Sequence, residues 1–166
     1  MKNHRPYLVA EISANHCGNF ALAKKLIKCA KINGADAVKL QTYTADTITL
    51  NQNSEEFQIN DKESLWAGET LHSLYSKAYT PWEWHQPIMA RARSHGMLCF
   101  SSPFDEAAVE FLDSLDVPAF KIASFENNHL PLIAKAASTG KPLIISTGMA
   151  TLGELEAAVN TARSAG

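Results

Sequence analysis

A parallel α/β fold is what this sequence predicts, and three observations predict it. Short apolar runs rich in Val, Ile and Phe recur along the 166 residues. Stretches with helical periodicity separate them. The runs are nearly continuous rather than alternating polar with apolar, which is how strands covered on both faces read.

The five expected strands are residues 7–13 (YLVAEIS), 37–41 (AVKLQ), 97–101 (MLCFS), 119–124 (AFKIAS) and 142–146 (PLIIS). Between the first two, residues 21–33 place Leu22, Leu26, Ile27, Ala30 and Ile32 along one stripe and stop at Gly34, a suitable C′ residue. Thr80-Pro81-Trp82-Glu83 reads as a capping box with proline at the first helical position, launching a helix towards Gly96. Pro87 inside that segment predicts a kink or a later start. Residues 105–115 and 130–138 read as helices, and Thr151-Leu152-Gly153-Glu154 is a second capping box opening the last one. Such alternation implies right-handed crossovers.

Residues 42–80 break this rhythm. They exceed what a βα connection needs and carry Tyr43, Phe57, Trp66 and Tyr79 among Thr, Asn and Asp residues, so an ordered excursion is expected. Long loops on such folds shape sites; a surface elaboration without chemistry is the alternative.

Fifteen basic and 17 acidic residues leave a net charge of −2, which provides no broad positive field for a nucleic acid or an anionic membrane. No apolar run reaches the length of about 18 residues that a membrane span needs, and the basic start lacks a cleavage-site pattern. A cytoplasmic location is therefore expected. Cys17, Cys29 and Cys99 form no CxxC pair and read as reduced thiols.

Three of the strands carry a charge inside an apolar run: Glu11, Lys39 and Lys121. Buried charges require compensation. Side chains alternate along a strand, so Val9, Glu11 and Ser13 share one face, as do Lys39 with Gln41 and Phe100 with Ser102. A structural ion pair of Glu11 with one lysine explains any one of these residues. It does not explain the set, since two lysines against one glutamate, beside Ser102, Ser124, Ser146 and Thr147, make a positive pocket with hydroxyl donors. Such groups suit a small molecule bearing phosphate and carboxylate. In parallel α/β folds ligands bind at the C-terminal strand edge, in barrels and open sheets alike.

The other candidates carry less chemistry. His16 follows the first strand and reads as a loop hydrogen-bonding residue. His72, His85, His95 and His129 show no metal-ligand spacing and read mostly as helix-surface residues. Cys17 has no neighbouring base in sequence, and Trp82 and Trp84 read as packing residues.

Taken together, AEISANHCGN, GADAVKLQTY, FSSPFD, AFKIASFE and GKPLIISTGM resemble the sialic acid synthase family, in order and across essentially the whole chain. KAYTPWEWH and SSPFD are similar to its pseudaminic branch. The resemblance implies a (β/α)8 TIM-type barrel that condenses phosphoenolpyruvate with an N-acetylated aldose, giving a nine-carbon 2-keto acid and phosphate. In the pseudaminic branch the aldose is 2,4-diacetamido-2,4,6-trideoxy-altropyranose; neuraminate or legionaminate synthesis, or phosphoenolpyruvate binding without chemistry, are the alternatives. The resemblance carries phosphoenolpyruvate-binding positions onto Lys39, Ser102, Lys121, Ser124 and Ser146, and an active-site acid or base onto Glu11. Gln41 and Glu126 follow as further substrate contacts.

It also implies a divalent metal, manganese or magnesium, and a homodimer for the full-length protein. No histidine here matches the family's metal ligands, so no metal residue is assigned. An eight-stranded barrel takes about 250 residues, so the expectation is an incomplete barrel of about five βα units over residues 1–166, without the last barrel units or the C-terminal antifreeze-like domain. An unclosed sheet would expose the edges of its first and fifth strands. The rival is a flavodoxin-like open sheet, which demands a reversal of strand order and a glycine-rich first loop; Asn15-His16-Cys17-Gly18-Asn19 is poor in glycine.

Overall fold

The computed structural model describes residues 5–166, so the first four residues of the basic start lie outside them. Five strands pair in parallel: β1 (Val9–Glu11), β2 (Ala37–Thr42), β3 (Leu98–Pro103), β4 (Phe120–Ile122) and β5 (Leu143–Ile145). Their order in the sheet is β1-β2-β3-β4-β5, the order of the chain. No reversal occurs, which removes the flavodoxin-like alternative. The sheet is the arc of a barrel with helices on its convex side.

Helix α1 (Phe20–Ile32) starts under Asn19, whose side chain accepts from the Leu22 N–H, and its buried Ala23 and Ile27 face the sheet. Helices α5 (Glu106–Ser114), α6 (Leu130–Ala137) and α7 (Leu152–Ala165) follow β3, β4 and β5. Asp105 caps α5 through the Ala108 N–H, and the Thr151–Glu154 capping box forms at α7 as expected. Between helices and sheet lies the core, in which Val38, Leu40, Phe120 and Ile122 from the strands meet Ile27, Ile88, Val109, Leu112, Leu132 and Ile133.

The first capping box does not form. Residues 82–84 make a single 3-10 turn with no side-chain cap, and α4 (His85–Ser94) starts later, placing Pro87 in its first turn where no N–H is needed. The Thr80 hydroxyl is instead buried against His16. Nor is His85 a surface residue: it is fully buried, on the same stripe as Ile88, Met89 and Ala92.

The excursion after β2 is ordered. It holds α2 (Ala45–Ile48) and α3 (Leu71–Ala78), joined by a His72 Nε2 to Asp46 Oδ1 contact of 2.8 Å and an isolated antiparallel bridge from Gln58 to Thr70. Cys99 is buried and its thiol is pushed up to about 12 by that burial, which makes it unreactive; Cys17 and Cys29 are exposed free thiols. No helix among the described residues is long and apolar enough to cross a membrane.

On the concave face, Val9, Leu98 and Ile144 are 43%, 51% and 46% exposed, and β1 and β5 are open edges. Apolar surface and unpaired backbone both favour association. The isolated chain should show concentration-dependent self-association in sedimentation velocity. A strict monomer melting above about 60 °C, the upper end for ordinary mesophile domains, would contradict this.

Candidate active site

The charged strand residues meet at the C-terminal edge of the concave face. Pairing sets Glu11 beside Lys39 and Gln41 beside Ser102, and the β3–β4 register of Ser101 with Phe120 brings Lys121 next in line. Lys39 Nζ forms an ion pair with Glu11 Oε2 and donates to Ser102 Oγ at 3.5 Å. Lys121 Nζ donates to the Ile122 carbonyl at 2.7 Å and to Ser146 Oγ. Gln41 Oε1 accepts from the Ser13 hydroxyl, which fixes its amide.

The two ammonium groups share one field. Burial first, then the charge of Lys39, holds Lys121 below the ordinary lysine range, while Glu11 and Glu126 pull it back. Glu126 also has its carboxyl raised, chiefly by burial, and its buried Oε2 has no hydrogen-bond partner. Counting strand residues alone gives two lysines to one glutamate; the mouth in fact holds two of each.

Ser124 and Glu126 lie on the 3-10 turn after β4 (Ser124–Glu126). Opposite them runs the β5–α7 loop, tied across by Asn127 Nδ2 donating to the Gly148 carbonyl at 3.2 Å. A Cβ on Gly148 would stand 3.0 Å from Ser124 Oγ, so this glycine makes room for the serine hydroxyl. Gly148→Ala therefore displaces that hydroxyl. Losing one charge-assisted hydrogen bond should weaken binding of a small phosphate-bearing anion about tenfold by calorimetry with the fold intact. Unchanged affinity would exclude Ser124 as a contact.

Three participants escape the strand reading. Tyr75, on α3, is half-buried and its hydroxyl is raised by burial and by the charge of Glu126, which puts the excursion beside the mouth. Its ring meets that of Tyr43 at 5.6 Å, and Tyr43 in turn meets Phe104 at 5.5 Å. Asn127, 5% exposed, is the third. Only the aromatic content of residues 42–80 signalled any of these. Among the described residues no group of three or more His, Cys, Asp or Glu side chains is placed to hold a metal ion.

Fold and site thus define a parallel α/β barrel protein whose strand ends bring Glu11, Lys39, Ser102, Lys121 and Ser146 to one edge of one sheet face. The NeuB family model matches residues 26–166, and the chain belongs to the NeuB family. It is 50% identical over 149 residues to a pseudaminic acid synthase of Campylobacter jejuni, an alignment covering 90% of this chain and 43% of that protein. It is 41% identical over 160 residues to an N,N'-diacetyllegionaminic acid synthase of Legionella pneumophila, covering 95% and 44%. The chain therefore spans less than half the length of these curated relatives. Among solved structures, an N-acetylneuraminic acid synthetase of Leptospira borgpetersenii superposes with a TM-score of 0.80 at 27% identity, over 98% of this chain and 51% of that one.

Proposed function

We propose that this chain carries the phosphoenolpyruvate half of a pseudaminic acid synthase site. The whole protein would join phosphoenolpyruvate to 2,4-diacetamido-2,4,6-trideoxy-altropyranose in the cytoplasm, as a homodimer. One observation carries the reading: Lys39 and Lys121, each already donating to a serine hydroxyl, meet Glu11 at the strand ends of one sheet face. The higher identity to the pseudaminic than to the legionaminic relative favours the altrose sugar.

Lys39 and Lys121 neutralise the carboxylate and phosphate, and Ser102, Ser124 and Ser146 donate to phosphate oxygens. As the anion takes up Lys39, the Glu11 carboxylate loses its ion pair and becomes available as a base. Carbon 3 of the enol then attacks the sugar aldehyde, forming the new carbon–carbon bond and leaving positive charge at carbon 2. Glu11 removes a proton from the water that adds there and passes it to the new sugar alkoxide; the carbon–oxygen bond to phosphate then breaks, the proton of the carbon 2 hydroxyl leaves with the phosphate, and the ketone remains. Gln41 and Glu126 would supply further contacts to the substrates. Among the described residues, no group of three or more His, Cys, Asp or Glu side chains forms a ligand set for the divalent metal of the resemblance.

Two measurements test this reading. Calorimetry should show phosphoenolpyruvate binding to the chain, lost in a Lys39→Met, Lys121→Met double variant. The full-length enzyme should release phosphate when given the altrose sugar. Absence of phosphoenolpyruvate binding at millimolar concentration would overturn it.

A further inference from the structure

Two buried histidines that the proposed chemistry does not use bracket the excursion. His85 lies behind the sheet, where its Nδ1 is 3.3 Å from the Pro81 carbonyl and its Nε2 is 2.8 Å from Thr42 Oγ1. A carbonyl only accepts, so Nδ1 carries the hydrogen and Nε2 accepts from the Thr42 hydroxyl. Thr42 Oγ1 in turn accepts from the Ser101 hydroxyl at 2.7 Å. His16 has the opposite tautomer. The Gly18 N–H donates to its Nδ1 at 3.2 Å, so its Nε2–H donates to Thr80 Oγ1 at 2.9 Å. All of these side chains are buried.

Thr42 is the last residue of β2 and Thr80 the last residue of the excursion, so each stem ends on one histidine. Trp82 Nε1 donates to the Tyr43 carbonyl at 3.4 Å and joins the stems to each other. Packing holds both rings in place: His16 lies edge-on to Trp84 at 5.5 Å and His85 edge-on to Phe111 at 5.4 Å. What they fix is the segment that carries Tyr43 and Tyr75, whose rings meet at 5.6 Å and of which Tyr75 feels the charge of Glu126.

We propose that His16 and His85 are positioning residues that clamp the two stems of the excursion to the barrel rim, and that the excursion so held is the wall against which the amino sugar binds. This rests on the function proposed above. None of the proposed phosphoenolpyruvate contacts, Lys39, Ser102, Lys121, Ser124 and Ser146, lies within the excursion. Loosening the clamp should therefore affect the two substrates unequally.

The test uses His16→Ala, and Thr80→Val with Thr80→Ser as its conservative partner, should the histidine variant fold poorly. Hydrogen exchange is followed by mass spectrometry, and binding is followed with phosphoenolpyruvate alone and with the altrose sugar in its presence. Opening of a clamped segment should raise exchange across residues 43–79 about tenfold in His16→Ala and Thr80→Val, with the β2–β4 core unchanged and Thr80→Ser restoring protection. Sugar affinity should fall about tenfold while phosphoenolpyruvate affinity stays within about twofold. Unchanged exchange in the segment overturns the clamp, and an equal loss for both ligands overturns its positioning role. If the wild-type chain binds neither ligand, the functional reading fails and the sugar wall with it, while the exchange data still decide the clamp.

Discussion

Lys121→Met is expected to lower phosphoenolpyruvate affinity about a hundredfold, the largest single effect on binding, because it removes the less compensated of the two cations. Lys39 has Glu11 as a partner; among the described residues Lys121 has only a carbonyl and the Ser146 hydroxyl within hydrogen-bond reach. Burial and the neighbouring ammonium depress Lys121, so a bound phosphate relieves an unfavourable arrangement as well as making a new one. Methionine keeps the stem and its packing but cannot donate. Calorimetry at constant ionic strength reads the change, and a loss of less than about fivefold would mean that Lys121 serves the sheet rather than a ligand.

The second large effect is on stability. His85 is fully buried and uncharged, with its pKa lowered from 6.5 to about 4, mainly by burial. His16 is lowered in the same direction for the same reason. The unfolded chain binds these protons first, so stability is complete above about pH 6.5 and falls as the pH drops towards about 4. His85 alone should account for about 3 kcal/mol across that interval. Asp36, Glu69 and Glu154, lowered by their hydrogen bonds, lose their contributions only below their ordinary carboxylate values, beneath most of this window. Glu126, raised by burial, acts in the opposite sense, since stability from its neutral form fades as the pH rises. Urea midpoints from pH 7 to pH 4.5 test the effect. His85→Gln, which cannot charge, should flatten most of the slope; an unchanged slope would place the proton elsewhere.

The strand and helix pattern was legible because it depends on local sequence: each apolar run became a strand and Thr151–Glu154 closed its box within four residues. Thr80–Glu83 has the same local signature and misled, because the Thr80 hydroxyl found a partner 64 residues away. His85 could have been placed correctly. Its spacing to Ile88, Met89 and Ala92 marks the buried stripe of α4, and only its polarity argued for the surface. The convergence of Glu11, Lys39 and Lys121 was readable from the period-2 alternation of the strands and their parallel order. The approach of Tyr75 to Glu126 was not, since it depends on how the excursion folds back over the rim.

Because the strands lie side by side in the order in which they are translated, each new βα unit can dock on surface already present as the nascent chain leaves the ribosome. No early strand has to wait for a distant later one to slot between it and its neighbour. Synthesis and folding can thus proceed in step. The 63-residue separation of Lys39 from Ser102 and the 25-residue separation of Lys121 from Ser146 then date the assembly of the anion mouth to the emergence of β3 and β5 respectively.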